Sequence, residues 1–115
     1  MSGVIAVLAT GRPALDASAA PAFPSGLKIG TGTIFTSQSV VVTVIGGTPP
    51  YTYLWTRVSG DTQIGPINGT SNMTKFSAYH SSAGTYNTIY KCVVTDAAAV
   101  SVDSNDIDIT IESLS

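Results

Sequence analysis

The stretch YKCVVTD, residues 90–96, decides how this chain is read. Tyr90, Cys92 and Val94 alternate with Lys91, Val93 and Thr95. A period of two is the mark of a strand with one face on a core and the other toward water. The cysteine sits in mid-strand on the apolar side, yet the chain of 115 residues holds one cysteine in all. Cys92 then has no partner within the chain and reads as a small buried hydrophobe.

The same alternation recurs on either side. SVVVTVIGG (39–47) sets Val40, Val42 and Val44 against Val41, Thr43 and Ile45. YTYLW (51–55) sets Tyr51, Tyr53 and Trp55 against Thr52 and Leu54. DIDITIE (106–112) is the cleanest, with Ile107, Ile109 and Ile111 inward and Asp106, Asp108, Thr110 and Glu112 toward water. That pattern belongs to an antiparallel sheet with one solvated face. Asn68-Gly69, within INGTSNMTKF, is the sequence's strongest signal for a tight hairpin. Helical periodicity is almost absent. The expectation is an all-β, antiparallel β-sandwich of about seven strands.

Residues 1–26 read differently. They are rich in alanine, and Pro13, Pro21 and Pro24 argue against regular pairing over much of the segment. The expected organisation is an N-terminal arm over 1–26, opening with a short apolar strand at Gly3–Leu8, followed by the sandwich over 27–115. The apolar run Val4–Ala9 is short, and Arg12 follows it rather than preceding it, so a secretory signal is not expected. No run approaches the ~20 apolar residues of a membrane helix.

Charged residues make up 10% of the chain and the net charge is −2, against a usual charged fraction of roughly 25%. No cluster of Lys or Arg is present to track a phosphate backbone, so nucleic acid is not an expected partner. A surface this weakly charged tends to associate.

Two segments carry a resemblance. GGTPPYTYLW (46–55) resembles the corner between the second and third strands of immunoglobulin-like and PKD-like modules of bacterial surface and bacteriophage virion proteins. AGTYNTIYKCVVTDA (83–97) is similar to the corner and strand that carry the second cysteine in such modules. The likeness spans roughly residues 34–112 and implies an immunoglobulin-like sandwich. It also implies that a disulfide partner would fall where this chain has Val40, Val42 and Val44. Cys92 is thus expected to pack against Trp55 and a valine, in a fold able to mature in a reducing cytoplasm. Tyr90 stands two residues before Cys92, the spacing of a tyrosine corner whose hydroxyl bonds upstream backbone. Tyr86 is the alternative, and the sequence leaves both open. Gly46-Gly47 supplies backbone conformations other residues avoid, and Pro49-Pro50 stiffens the connector.

The catalytic readings are weak. Cys92 as a nucleophile would need a base in an exposed polar pocket, and His80, in YHSSAG, is the only histidine; it is expected on a loop or rim. Asp103, Asn105, Asp106 and Asp108 gather oxygen ligands near Asp96, but the segment departs from a calcium-binding loop, so calcium stays an open question. Asn68 and Asn72 match glycosylation sequons and read as chance. Tyr51, Tyr53 and Tyr79 could form a flat platform for sugars; the plainer expectation puts Tyr53 beside Trp55, with Tyr51 and Tyr79 capping the ends of the core.

Most informative are apolar residues with nowhere to go. Val41, Ile45, Leu54 and Val93 point away from the core, and the arm adds Val4, Ile5, Val7, Leu8 and Phe23. A short apolar strand can pair with an exposed sheet edge. Val4, Ile5, Val7, Leu8 and Phe23 are therefore the expected assembly interface, and Trp55, Tyr90 and Cys92 the expected core. The resemblance and the missing disulfide together imply a non-enzymatic structural or decorating subunit of a bacteriophage particle. Such a subunit would assemble in the host cytoplasm, need no cofactor or metal, and partner other virion proteins or copies of itself. A carbohydrate-binding or adhesion module is the alternative.

Overall fold

The computed structural model describes residues 14–29 and 32–114. Eleven strands and no helix occur among the described residues, and they form two layers. The first holds β1 (Asp16–Ala20), β3 (Thr33–Thr36), β4 (Val40–Ile45), β6 (Gly65–Pro66), β7 (Met73–Thr74) and β8 (Phe76–His80). The second holds β2 (Ser25–Ile29), β5 (Thr52–Gly60), β9 (Gly84–Thr95), β10 (Ser101–Asp103) and β11 (Ile107–Leu114).

The first layer consists of two three-stranded ladders, β1-β4-β7 and β3-β8-β6, joined end to end. Thr36 stands opposite Ser77, and Val40 opposite Thr74, so β3–β4 gains one residue on its partner across Ser37–Ser39. That is a β-bulge, and one side chain fills it. The buried Ser37 hydroxyl accepts the Phe76 N–H at 3.1 Å and donates to the Gln38 carbonyl at 2.8 Å. Backbone groups stranded by the slip thereby keep partners.

In the second layer β9 is central. β5 runs along one edge, from Thr52 opposite Thr95 to Gly60 opposite Thr88. β11 and then β10 occupy the other edge, and β2 adds in parallel to β11. Gly26 is required in β2, because a Cβ there would collide with the Thr36 carbonyl oxygen. Gly46 and Gly47, with φ of 73° and 67°, turn the chain from β4 toward β5 as their sequence implies.

Between the layers lies one core. Ile107, Ile109 and Ile111 are fully buried, as is Cys92, which stands directly opposite Trp55. Val40 and Val42 enter from the first layer. The Trp55 ring meets Phe76 edge-on at 5.5 Å, and Phe76 lies 5.0 Å from Tyr90, both favourable aromatic geometries. The Trp55 indole N–H donates to the Ser71 carbonyl at 2.9 Å, so burying this ring leaves no donor unpaired.

The fold is the immunoglobulin-like sandwich expected, though with eleven strands among the described residues instead of about seven and with β2 parallel to β11 in an otherwise antiparallel arrangement, and three local readings are corrected. Residues 16–26 do not stand apart as an arm: β1 pairs along β4, Ala17 and Ala19 are buried, and β2 opens at Ser25. Pro21 and Pro24 mark where the chain crosses from one layer to the other instead of preventing pairing. Secondly, Asn68-Gly69 is not a two-residue hairpin. Asn68 begins a turn closed by the Ser71 N–H, and Gly69 lacks the positive φ that such a hairpin needs. Thirdly, neither tyrosine forms a local corner. The Tyr90 hydroxyl donates to the Ile64 carbonyl across the fold, and the Tyr86 ring stacks on His80 at 4.4 Å.

Candidate interaction surface

The two layers present very different outer faces. Strands of the second layer carry Lys28, Arg57, Lys91, Asp103, Asp108 and Glu112. Lys91 and Asp103 form an ion pair at 2.8 Å, whose hydrogen bond and charge raise the Lys91 pKa. Strands of the first layer carry one charged residue, Asp16; Lys75 lies between β7 and β8.

That nearly uncharged outer face is also apolar. Val41 and Met73 stand opposite each other across β4 and β7, and are 43% and 50% exposed. Ile34 and Tyr79 form the corresponding pair across β3 and β8, at 61% and 56%. Ile45, at one end of β4, and Ile67, just past β6, are likewise exposed. The strand period explains the arrangement: Val40 and Val42 point in, so Val41, Thr43 and Ile45 must point out. Beside Met73 the surface dips into a shallow hollow of about 200 Å³ lined by Ser39, Ile67, Asn68, Met73, Thr74 and Lys75. Leu54, Val58 and Leu27 are exposed on the second layer, but among its charges.

The sheet edges, by contrast, are covered at several points. The outward N–H and C=O of Ala19 in β1 are both taken by the Asn105 side-chain amide, at 2.8 and 3.1 Å. The Asp16 carboxylate accepts the Ala17 N–H beside them. β6 is two residues long and ends in proline. On β5 the outward Trp55 N–H is bonded to the Gly69 carbonyl. β2 lies against the bulge, where Ser25 accepts the Gln38 N–H at 3.3 Å. Short edges, prolines and side-chain plugs of this sort resist strand addition.

The other sequence-derived candidates are dispersed. Val4, Ile5, Val7 and Leu8 lie outside the described residues; Phe23, 76% exposed, sits on the crossover between β1 and β2. Trp55, Tyr90 and Cys92 are core residues. Burial pushes the Cys92 thiol up to about 11, the opposite of what a nucleophile needs. His80 is not on a rim. It is 1% exposed, lies 5.1 Å from the Phe35 ring, and has Nε2 3.2 Å from the Ile111 carbonyl. The oxygen-rich segment is pulled apart by separate tasks: Asp103 pairs with Lys91, Asn105 plugs β1, and Asp108 accepts from Asn87. Asp96 organises the turn before β10, accepting N–H groups from Val100 and Ala98 on one oxygen and from Thr48 on the other. The Val100 bond leads in lowering its pKa. No group of three acidic, histidine or cysteine side chains suited to a metal forms among the described residues. Nor do the tyrosines form a platform: Tyr51 and Tyr53 pack against the core, Tyr51 donates to the Gly46 carbonyl, and Tyr79 stands on the other layer's outer face instead of capping the core.

Layer order, the parallel addition of β2 to β11 and the shared core define an immunoglobulin-like β-sandwich. No protein-family model matches the sequence, and no curated protein is significantly similar to it. Among solved structures, a PKD domain of the human protein KIAA0319 superposes with a TM-score of 0.53 over 99% of this chain and 95% of that one, at 16% identity. The PKD domain of the KIAA 1837 protein covers 83% of this chain and 86% of its own, at 16% identity and a TM-score of 0.44. Identity this low speaks to fold alone.

Proposed function

We propose that this chain is a non-enzymatic assembly module, a rigid sandwich that docks other proteins through the outer face of its first layer. The observation that carries this reading is the nearly uncharged face bearing Ile34, Val41, Ile45, Ile67, Met73 and Tyr79. Exposed apolar surface of this extent, rimmed by polar residues, marks interaction sites. A structural or decorating role in a bacteriophage particle suits the chemistry: Cys92 is free and buried where a disulfide could have been, so the fold needs no oxidising compartment and can mature in a reducing one. Val4, Ile5, Val7, Leu8 and Phe23 extend the contact in this reading, by side-chain packing against a neighbour.

Photo-cross-linking in the producing cell tests it, with benzoylphenylalanine placed at Met73 or at Glu112. Protein adducts are expected from Met73 and not from Glu112. Equal adducts from both positions refute the docking face. So does the absence of adducts in a chain that binds a glycan panel and loses that binding on Tyr53→Ala, which would make it a carbohydrate module.

A further inference from the structure

We infer that the Asn68-Gly69 peptide is a self-modification site, where the asparagine converts to aspartate and isoaspartate and sets a carboxylate into the apolar face. The chemistry is intramolecular. The Gly69 backbone nitrogen, losing its proton to base, attacks the Asn68 side-chain carbonyl carbon. The new N–C bond closes a succinimide ring, and the side-chain nitrogen leaves as ammonia. Water then opens the ring at either carbonyl. One opening gives aspartate; the other gives isoaspartate, in which the main chain runs through the former side chain. Water is the only co-reactant, and nothing is oxidised or reduced.

Both reacting groups are unclaimed. Asn68 is exposed; its backbone N–H goes to the Thr74 hydroxyl and its carbonyl accepts the Ser71 N–H. Its side-chain amide makes no hydrogen bond among the described residues. The Gly69 carbonyl accepts the Trp55 N–H, but the Gly69 N–H has no partner among the described residues. Nor does the fold require glycine there. Gly69 lacks a positive φ, and a Cβ would meet nothing nearer than Pro66 Cγ at 3.7 Å, an ordinary contact. What glycine supplies is a backbone nitrogen that no side chain shields. The other asparagines are placed differently. Asn87 Nδ2 donates to Asp108, the Ile109 carbonyl and Thr110. Asn105 engages Ala19 through both amide atoms. Asn72 is exposed, but the nitrogen that would attack belongs to Met73, which carries a long side chain in β7 and is bonded to the Ser71 hydroxyl at 3.3 Å.

The consequence rests on the assembly reading above. Asn68 lines the hollow with Ile67 and Met73, where Lys75 is the one charged side chain. A new carboxylate there must shed its water when an apolar partner docks, which opposes docking. Isoaspartate also lengthens the main chain by one carbon beside the Gly69 carbonyl that holds Trp55 N–H. Docking would then have a time limit, set by the chain's own chemistry.

Peptide mapping by mass spectrometry, on the full chain held at mildly alkaline pH, tests the site. Position 68 should convert at least about ten times faster than Asn72, Asn87 or Asn105, giving isoaspartate alongside aspartate. Gly69→Ala should slow it at least about tenfold and keep the wild-type circular dichroism. An Asn68 that persists, converts no faster than Asn72, or converts as fast beside Ala overturns the inference. The effect on docking is read with benzoylphenylalanine at Met73 in the producing cell. Asn68→Asp should cut those protein adducts severalfold, and unchanged adducts overturn the effect. Adducts missing even with Asn68 in place refute the assembly reading and this consequence together, while mapping of the purified chain still decides the site.

Discussion

Asn105 offers a sharp test of how this sandwich protects itself. Its amide lies along the free edge of β1 and imitates a neighbouring strand, with Oδ1 accepting the Ala19 N–H at 2.8 Å and Nδ2 donating to the Ala19 carbonyl at 3.1 Å. Asn105→Ala removes both bonds. At about 1 kcal/mol net for each, the ceiling is about 2 kcal/mol. Asn105 is itself exposed, so water can reach the freed groups and the expected loss is about 1–1.5 kcal/mol. Asn105→Asp separates the two halves of the device. The carboxylate still accepts the Ala19 N–H, but its second oxygen faces the Ala19 carbonyl, so at neutral pH the loss should match or exceed that of alanine. Protonation restores a donor, so the folded state raises this carboxyl's pKa, and the penalty should shrink as pH falls through that value. Urea unfolding followed by Trp55 fluorescence measures the cost, and hydrogen exchange at the Ala19 amide reports the edge directly. If Asn105→Ala stays within about 0.3 kcal/mol of wild type and Ala19 exchanges no faster, the side chain is not holding the edge.

Replacing Trp55 with Ala should cost about 3–5 kcal/mol, a large share of a domain's stability; a variant that stayed fully stable and lost only ligand binding would move Trp55 from the core to a site. Cys92→Ala should cost about 1–2 kcal/mol through a small cavity, equally with and without reductant, and the native thiol should resist a disulfide reagent; rapid reaction without unfolding would contradict its burial. Asp96 has a lowered pKa, so it stabilises the fold above the ordinary carboxylate range, and that contribution is lost as pH falls through its folded value. Asp96→Ala should therefore lower Tm at pH 7 and approach wild type as pH falls below the folded value of Asp96, and a Tm difference unchanged from neutral to acid pH would refute the role.

The sequence was most legible where side-chain contrast was greatest. Ile107, Ile109 and Ile111 among acids, and Cys92 between Tyr90 and Val94, name their own inward face. β1 follows the same period, but Ala17 and Ala19 against Asp16, Ser18 and Ala20 give little hydrophobic contrast. Nearby prolines then favoured an arm over a strand. His80 was misplaced because its neighbours Ser81 and Ser82 are polar, although Phe76, Ala78 and His80 already share the inward face. That alternation was the signal available. Ile45 and Val41 could be read as outward from their own strand. Ile34, Met73 and Tyr79 could not, because their convergence depends on the pairing of β3–β4 with β7–β8 and on a bulge that Ser37 fills. Register across forty residues is a tertiary fact.

The covered edge positions and the bare face belong together. A sandwich meets partners by adding a strand at an edge or by packing a face. Edge addition need not stop, since each added strand exposes a new edge. Here Asn105 and Asp16 occupy β1, Pro66 ends β6, Gly69 meets β5 at Trp55, and the bulge strand flanks β2. A packed face is consumed by the contact it makes. With these edge positions covered, the sandwich carries Ile34, Val41, Met73 and Tyr79 in the open while β1 and β6 offer little backbone for strand addition.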